Sequence, residues 1–290
     1  MSPNASPSSD AAPWVIAHDT HEGFLGRMRE IWQYRRILLF FSIKAIQALY
    51  AKTHLGVSWI FIRTLVPLFV GSFIFGTVME VPSGGVPYFA FFLTGQVPWN
   101  CFDGPLIRAS RGLDVNRQLL SKLYVPRIIL PLGQMAAGII EPLIITVVLA
   151  CSFAFYRVSD GVWYLRPDLQ LLAAAASVVL VLAFAFSLSL FTSMLQARAR
   201  DMRFILRYVV GFWILFTPVI YPLSMVPEDI RWLAYLNPLT APVETFKWAI
   251  LPAMQHSWWW WGYSAAVTAA TFLSGVWFFA RVESVTMDRM

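Results

Sequence analysis

Catalysis needs acids, bases, nucleophiles or metal ligands held at useful spacing, and this chain has few. The four histidines, His18, His21, His54 and His256, form no ligand pair at helical spacing. There is no Walker-type glycine loop, no Gly-x-Ser-x-Gly elbow and no His-Glu-x-x-His. The carboxylates Asp160, Asp168, Glu228, Asp229 and Glu244 are scattered, and at least two read as residues that favour a helix N-terminus. Cys101 and Cys151 lie in or beside apolar runs, without metal or disulfide spacing, and read as small buried hydrophobes. These residues point away from an enzyme and imply no metal and no cofactor bound by the chain itself. A membrane-bound glycosyl- or acyltransferase would require acids or bases gathered at a substrate. Glu141, in "GIIEPLI", is the one carboxylate deep in an apolar run, and the adjacent Pro142 frees a backbone carbonyl. It either lines a polar pathway or bonds to a neighbouring helix. An ion-coupled lipid or glycolipid flippase would use such a group, but one carboxylate is a thin basis for coupling.

The elements that must position these residues are membrane helices. Hydrophobic residues make up 58% of the 290 and charged residues 13%, against about 45–50% and about 25% in soluble chains. Six runs approach the roughly 20 apolar residues that a bilayer requires: 57–79, 87–107, 128–156, 169–196, 204–222 and 258–280. The second is interrupted by Asn100, Asp103 and prolines, and the fifth is short and ends in "TPVIYP". The expected fold is therefore all-α and integral to the membrane, with six spans and both termini on one side. Seventeen of the 22 Lys and Arg fall on the side of the termini and four on the other, with Arg63 inside the first run. That asymmetry places the N- and C-termini in the cytoplasm. The net charge of +6 follows from this retention of bases and does not indicate nucleic acid, since no basic cluster or nucleic-acid motif accompanies it.

Three regions are expected: a disordered cytoplasmic tail at 1–23, an amphipathic interface helix within 24–56, and a six-span membrane domain at 57–290. The helix in 24–50 repeats apolar residues in steps of three, four or seven, with bases on its other face, as suits the membrane–water interface. Between the fifth and sixth runs, "PEDIRWLAYL" and "APVETFKWAIL" predict two short helices at the outer surface, started by Pro227 and Pro242.

The connection 116–127 is too polar to span and too apolar to be a slack linker. As a helix it puts Leu119, Leu120, Leu123 and Tyr124 on one arc and Lys122 opposite, until Val125 and Pro126 stop it. Pattern alone permits an interfacial loop that meets lipid phosphate, or a knob that docks in another protein's groove. Aromatic residues crowd the ends of the runs, as in an interfacial belt. Some of Phe91, Phe92, Trp99, Phe212, Trp213, Phe216 and Tyr221 are also candidates, with Glu141, for the lining of a channel over which sugar C–H faces could slide.

The ordered set "LTGQVPW" (93–99), "RAS" (108–110), Asn116, "LLSKLYVPR" (119–127), "LP" (130–131), "ARARD" (197–201), "TPVIYP" (217–222) and "NPLT" (237–240) resembles the permease subunits of ABC polysaccharide exporters. That family moves O-antigen, capsule and teichoic acid polymers. Leu55, Gly56 and Trp59 add to the likeness, which runs from about 35 to 280. The resemblance implies a homodimer in the bacterial inner membrane that exports a lipid-linked cell-surface polysaccharide and sits among membrane lipid. It implies two copies of a separate ATPase that bind ATP and Mg, so that this chain is not itself an enzyme. It makes 116–127 a coupling helix, with Arg117, Leu119, Leu120, Lys122, Leu123, Tyr124 and Arg127 as its contact residues. Arg200 and Asp201 would form a second contact, and the two short outer helices a gate. One departure stands out: where the family often has Gln-Pro in the first span, this chain has Arg63-Thr64, with a proline only at Pro67. Arg63 then either snorkels toward the inner interface or meets an anionic group of the substrate.

Overall fold

The computed structural model describes residues 32–49, 51, 56, 58–117, 126–165, 168–199, 201–252, 254 and 256–286, and these are helical or irregular without any strand. The helices are α1 (Arg35–Gln47), α2 (Ser58–Phe73), α3 (Tyr88–Ser110), α4 (Gly112–Val115), α5 (Ile129–Gly138), α6 (Ile140–Ser159), α7 (Leu171–Arg198), α8 (Met202–Trp213), α9 (Glu228–Leu236), α10 (Thr240–Ile250) and α11 (Trp258–Thr286). Four stretches are long and apolar enough to cross a membrane: Ser58–Val78, Ile129–Ser159, Leu171–Arg198 and Trp258–Phe279.

The remaining two expected spans differ for physical reasons. Helix α3 is long, but it carries Gln96, Asn100, Asp103 and Arg108. It therefore lies at the centre, packed on α5, α6, α7 and α10, where helices rather than lipid face its polar groups. Helix α8 stops at Trp213, runs through a single 3-10 turn at Ile214–Phe216, and then loses regular structure. Pro218 and Pro222 cannot continue a helix, so the run read as a span to 222 is broken at its far end.

Helix α2 buries Ile60, Thr64, Leu68 and Ser72, a strict i+4 stripe, against α3 and α6. Its other faces present Trp59, Phe61, Ile62, Val66, Phe69, Val70 and Phe73 outward. It passes through Pro67 without ending and unwinds only in a π-helical turn at Ile74–Val78. In α1, expected as an interface helix, Phe41 and Ala45 are the residues buried, against α5, while Leu39 and Ile43 of the apolar stripe face outward. Cys101 is buried as expected, whereas Cys151 is exposed on α6.

Close crossings set the spacing of the centre. Gly104 of α3 and Gly138 of α5 meet backbone to backbone, and a Cβ on Gly104 would lie 2.9 Å from the Gly138 carbonyl oxygen. Small residues permit such approach where no hydrophobic force drives helices together in lipid. The chain then bends at Ile139. Pro142 has no N–H for the Gly138 carbonyl, which is one reason the helix divides into α5 and α6 there.

Gly138→Ala should force its methyl into the backbone of Pro105 and destabilise the bundle by about 1–3 kcal/mol. Gly262→Ala on α11 meets open space and should be neutral or stabilising by up to about 1 kcal/mol. Thermal unfolding of the two variants in detergent checks the contrast; equal melting temperatures would refute the crossing.

Candidate transport pathway and intramembrane ion cluster

The broken end of α8 creates a problem of unpaired backbone. Inside a bilayer, irregular chain is tolerated only where protein or a water-lined cavity satisfies it. Here side chains from three other elements do so. The Lys247 ammonium of α10 donates to the carbonyl of Pro218 and, at 3.3 Å, to that of Tyr221. The Tyr88 hydroxyl of α3 donates to the Ile220 carbonyl at 2.7 Å. Asn237 Nδ2 donates to the Phe216 carbonyl at 3.2 Å and to Thr217 Oγ1 at 2.8 Å, while its Oδ1 accepts from Trp213 Nε1 at 3.0 Å. The two motifs "TPVIYP" and "NPLT", 20 residues apart in their first contact, thus form one unit.

Lys247 itself has no exposed side-chain surface, and its neighbour Glu244 is 7% exposed with Oε1 3.4 Å away. The ammonium also lies 4.3 Å from the centre of the Phe91 ring, a cation–π contact. Gly95 leaves the room: a side chain there would collide with the Val219 carbonyl and with Lys247 Cε. Helix α10 is therefore not a surface helix; it is buried along its whole length against α7 and α3. Helix α9, in contrast, buries none of its residues. In the sequence, Lys247 is one of the four bases on the side away from the termini. The available signal was its i,i+3 pairing with Glu244 on a short, otherwise mostly apolar helix.

The candidate channel aromatics separate into two groups. Phe91, Phe92 and Trp99 are buried in the packed core, with Phe102 linking Trp99 (5.7 Å), Phe184 (5.7 Å) and Trp213 (5.3 Å) ring to ring. Trp213 and Tyr221 are half-buried. Phe212 and Phe216 point outward, 65% and 69% exposed, and with Tyr208, Val209 and Trp213 they line a shallow groove.

Glu141 is not isolated. Its Oε1 accepts from Arg63 of α2 and, at 3.3 Å, from Arg108 of α3. Asp103 lies within electrostatic reach of Glu141, Arg108 and Arg207 of α8. Four helices thus contribute to one charged cluster, of which sequence reading had singled out Glu141 and Arg63. Asp103 reads in the sequence only as an interruption of the second run, and Arg207 as one more base after Arg198, Arg200 and Arg203; neither position points to the other. The Arg63 side chain is 45% exposed, Arg108 24% and Glu141 23%.

Of the residues expected at an ATPase contact, Arg117 and Arg127 flank the connection, and Asp201 sits at the N-terminus of α8, where its carbonyl accepts from the amides of Phe204 and Ile205. Leu119, Leu120, Lys122, Leu123, Tyr124 and Arg200 lie outside the described residues. The approach to the connection is ordered: Asn116 is buried and its Nδ2 donates to the Gly112 carbonyl at 2.9 Å. No metal-binding group of three or more His, Cys, Asp or Glu occurs among the described residues.

Lys247→Met should leave the Pro218 and Tyr221 carbonyls without their donor and Glu244 as an uncompensated buried acid, at a cost of about 3–5 kcal/mol. Lys247→Met combined with Glu244→Leu removes the orphaned acid and should regain part of that loss. Chemical denaturation of both variants in detergent tests this; a double variant no better than the single would refute the pairing.

Residues 38–251 match the ABC-2 type transporter family. The chain is 24% identical over 223 residues to an O-antigen export system permease protein RfbA of Myxococcus xanthus, covering 76% of this chain and 82% of that one. It is 27% identical over 217 residues to an O-antigen export system permease protein RfbA of Klebsiella pneumoniae, covering 73% and 78%. A second Klebsiella pneumoniae permease of that name is 26% identical over 216 residues, with the same coverage. A matched region that runs from within α1 to the end of α10, on a transmembrane helical chain, makes this protein a member of the ABC-2 type transporter membrane family.

Proposed function

We propose that the chain is the permease half of an ATP-driven exporter that carries a lipid-linked cell-surface polysaccharide outward across the bacterial inner membrane. The observation that carries this reading is the family match over 38–251 together with O-antigen export permeases aligned along 78–82% of their own lengths. In this reading two copies assemble into the transport unit, and α2, α3, α5–α6, α7, α8 with its broken end, and α11 are the six spans of each. The termini and the connection 118–125 face the cytoplasm, where two copies of a separate ATPase bind ATP and Mg and drive the cycle. Helices α9 and α10 serve as the outer gate, and the outward aromatics Phe212 and Phe216 face the polymer path or the second copy. Helix α1 lies at the inner interface; residues 1–23, expected as a cytoplasmic tail, lie outside the described residues.

Ion coupling through Glu141 finds less support, because that carboxylate is engaged by two arginines. In reconstituted vesicles, export should require ATP and the ATPase and continue when a protonophore abolishes the proton gradient. Loss of export on adding protonophore at constant ATP would favour the ion-coupled reading.

Affinity purification of this chain should bring an ATPase with it, whereas the permease alone should hydrolyse no ATP. Reversing charge at Arg117 and Lys122 (both to Glu) should release or uncouple that ATPase and abolish export while leaving the melting temperature of the bundle unchanged. Retained ATPase binding and export in that variant would return 116–127 to the role of an interfacial loop.

A further inference from the structure

Two ionic groups are set into this bundle, and they differ in kind. Lys247 and Glu244 are enclosed, and the ammonium is consumed by backbone carbonyls. The cluster of Arg63, Arg108 and Glu141 is open. Arg63 projects from the second turn of α2, a helix whose neighbouring residues Trp59, Ile62 and Val66 are apolar and exposed. Its side chain is 45% exposed, and a guanidinium open to the side beside apolar helix surface calls for an anion.

The geometry of the pairing leaves capacity for one. Both arginine contacts fall on a single atom, Glu141 Oε1. Two guanidinium groups carry five N–H donors each in planar forks that suit the several oxygens of a phosphate better than one carboxylate oxygen. In direct contact two guanidinium groups face one carboxylate, so the pairing retains a positive excess with Glu141 in place. Glu141 sits in the first turn of α6, directly after the bend at Ile139 and before Pro142, where the helix is already interrupted.

We infer that Arg63 and Arg108 form a binding site for the phosphate of an anionic lipid headgroup, in which Glu141 stands in for the phosphate until the lipid displaces it. This rests on the reading of the chain as an exporter of a lipid-linked polymer and names the chemical group by which the carrier is held. Arg63, Arg108 and Glu141 come from α2, α3 and α6, so exchange of carboxylate for phosphate would be felt by three helices at once.

The test uses the purified full chain in maltoside detergent, without ATPase, and measures binding of dodecyl phosphate against uncharged dodecanol and inorganic phosphate. Glu141→Gln should tighten dodecyl phosphate binding about fivefold or more, and Arg63→Gln or Arg108→Gln should weaken it about tenfold. A brace with no ligand role would give opposite signs for none of these variants. Arg63→Lys keeps the charge but loses the fork, so it should bind at an intermediate level and serves if a glutamine variant does not fold. Unchanged or weaker binding by Glu141→Gln overturns the proposal. So does dodecyl phosphate bound no better than dodecanol. Inorganic phosphate bound as tightly as dodecyl phosphate overturns the headgroup assignment in favour of a soluble anion. If binding fails while the chain still copurifies with an ATPase and exports polymer, the site is wrong and the exporter reading stands.

Discussion

A backbone carbonyl in a lipid environment must find a donor, and this constraint organises the far half of the molecule. The segment after α8 is not helical, because Pro218 and Pro222 interrupt it, and its carbonyls at 217–219 are buried in protein, so they need protein donors. Lys247, Tyr88 and Asn237 supply the donors from α10, α3 and the turn between α9 and α10. Holding Lys247 there requires α10 to enter the bundle, and room for it requires Gly95 on α3. A buried ammonium in turn requires an acid and a polarisable neighbour, which Glu244 and the Phe91 ring provide. One break in one helix thereby determines the placement of two others.

The near half answers a related constraint with side-chain charge instead of backbone. Polar residues of α3 cannot face lipid, so α3 is central and its neighbours close round it. Small residues make that closeness possible: Gly104 against Gly138, and buried Ser177, Ser187, Ser189 and Ser193 on α7. Most of the serine hydroxyls turn back to carbonyls of their own helix, as Ser187 does to Ala183 and Ser189 to Phe186. They therefore pack as small apolar surfaces. The charged groups that remain gather where α2, α3, α6 and α8 approach each other.

Much of the fold was legible because helix formation in lipid is a local matter. The runs at 57–79, 128–156, 169–196 and 258–280 coincide closely with helices, since length and apolarity are enough to specify such a span. Pro227 and Pro242 correctly announced α9 and α10. The site was less legible. Phe91 reads as a channel aromatic by composition, yet it packs under Lys247. Leu39 and Ile43 follow the apolar period of α1, yet α5 is met by Phe41 and Ala45, because one helix can show apolar faces to both lipid and protein.

From the amino-acid order alone come the helical class, the uneven placing of bases along the chain and the ordered motifs of the family. Each depends on residues close together in the chain or on their totals. Tertiary structure decided which charges meet. Arg63 and Glu141 are 78 residues apart, Arg108 and Glu141 33, and Lys247 and Pro218 29. No helical period relates such positions; they are joined by the angle at which helices cross, by the glycines that let them approach, and by the bend after Gly138.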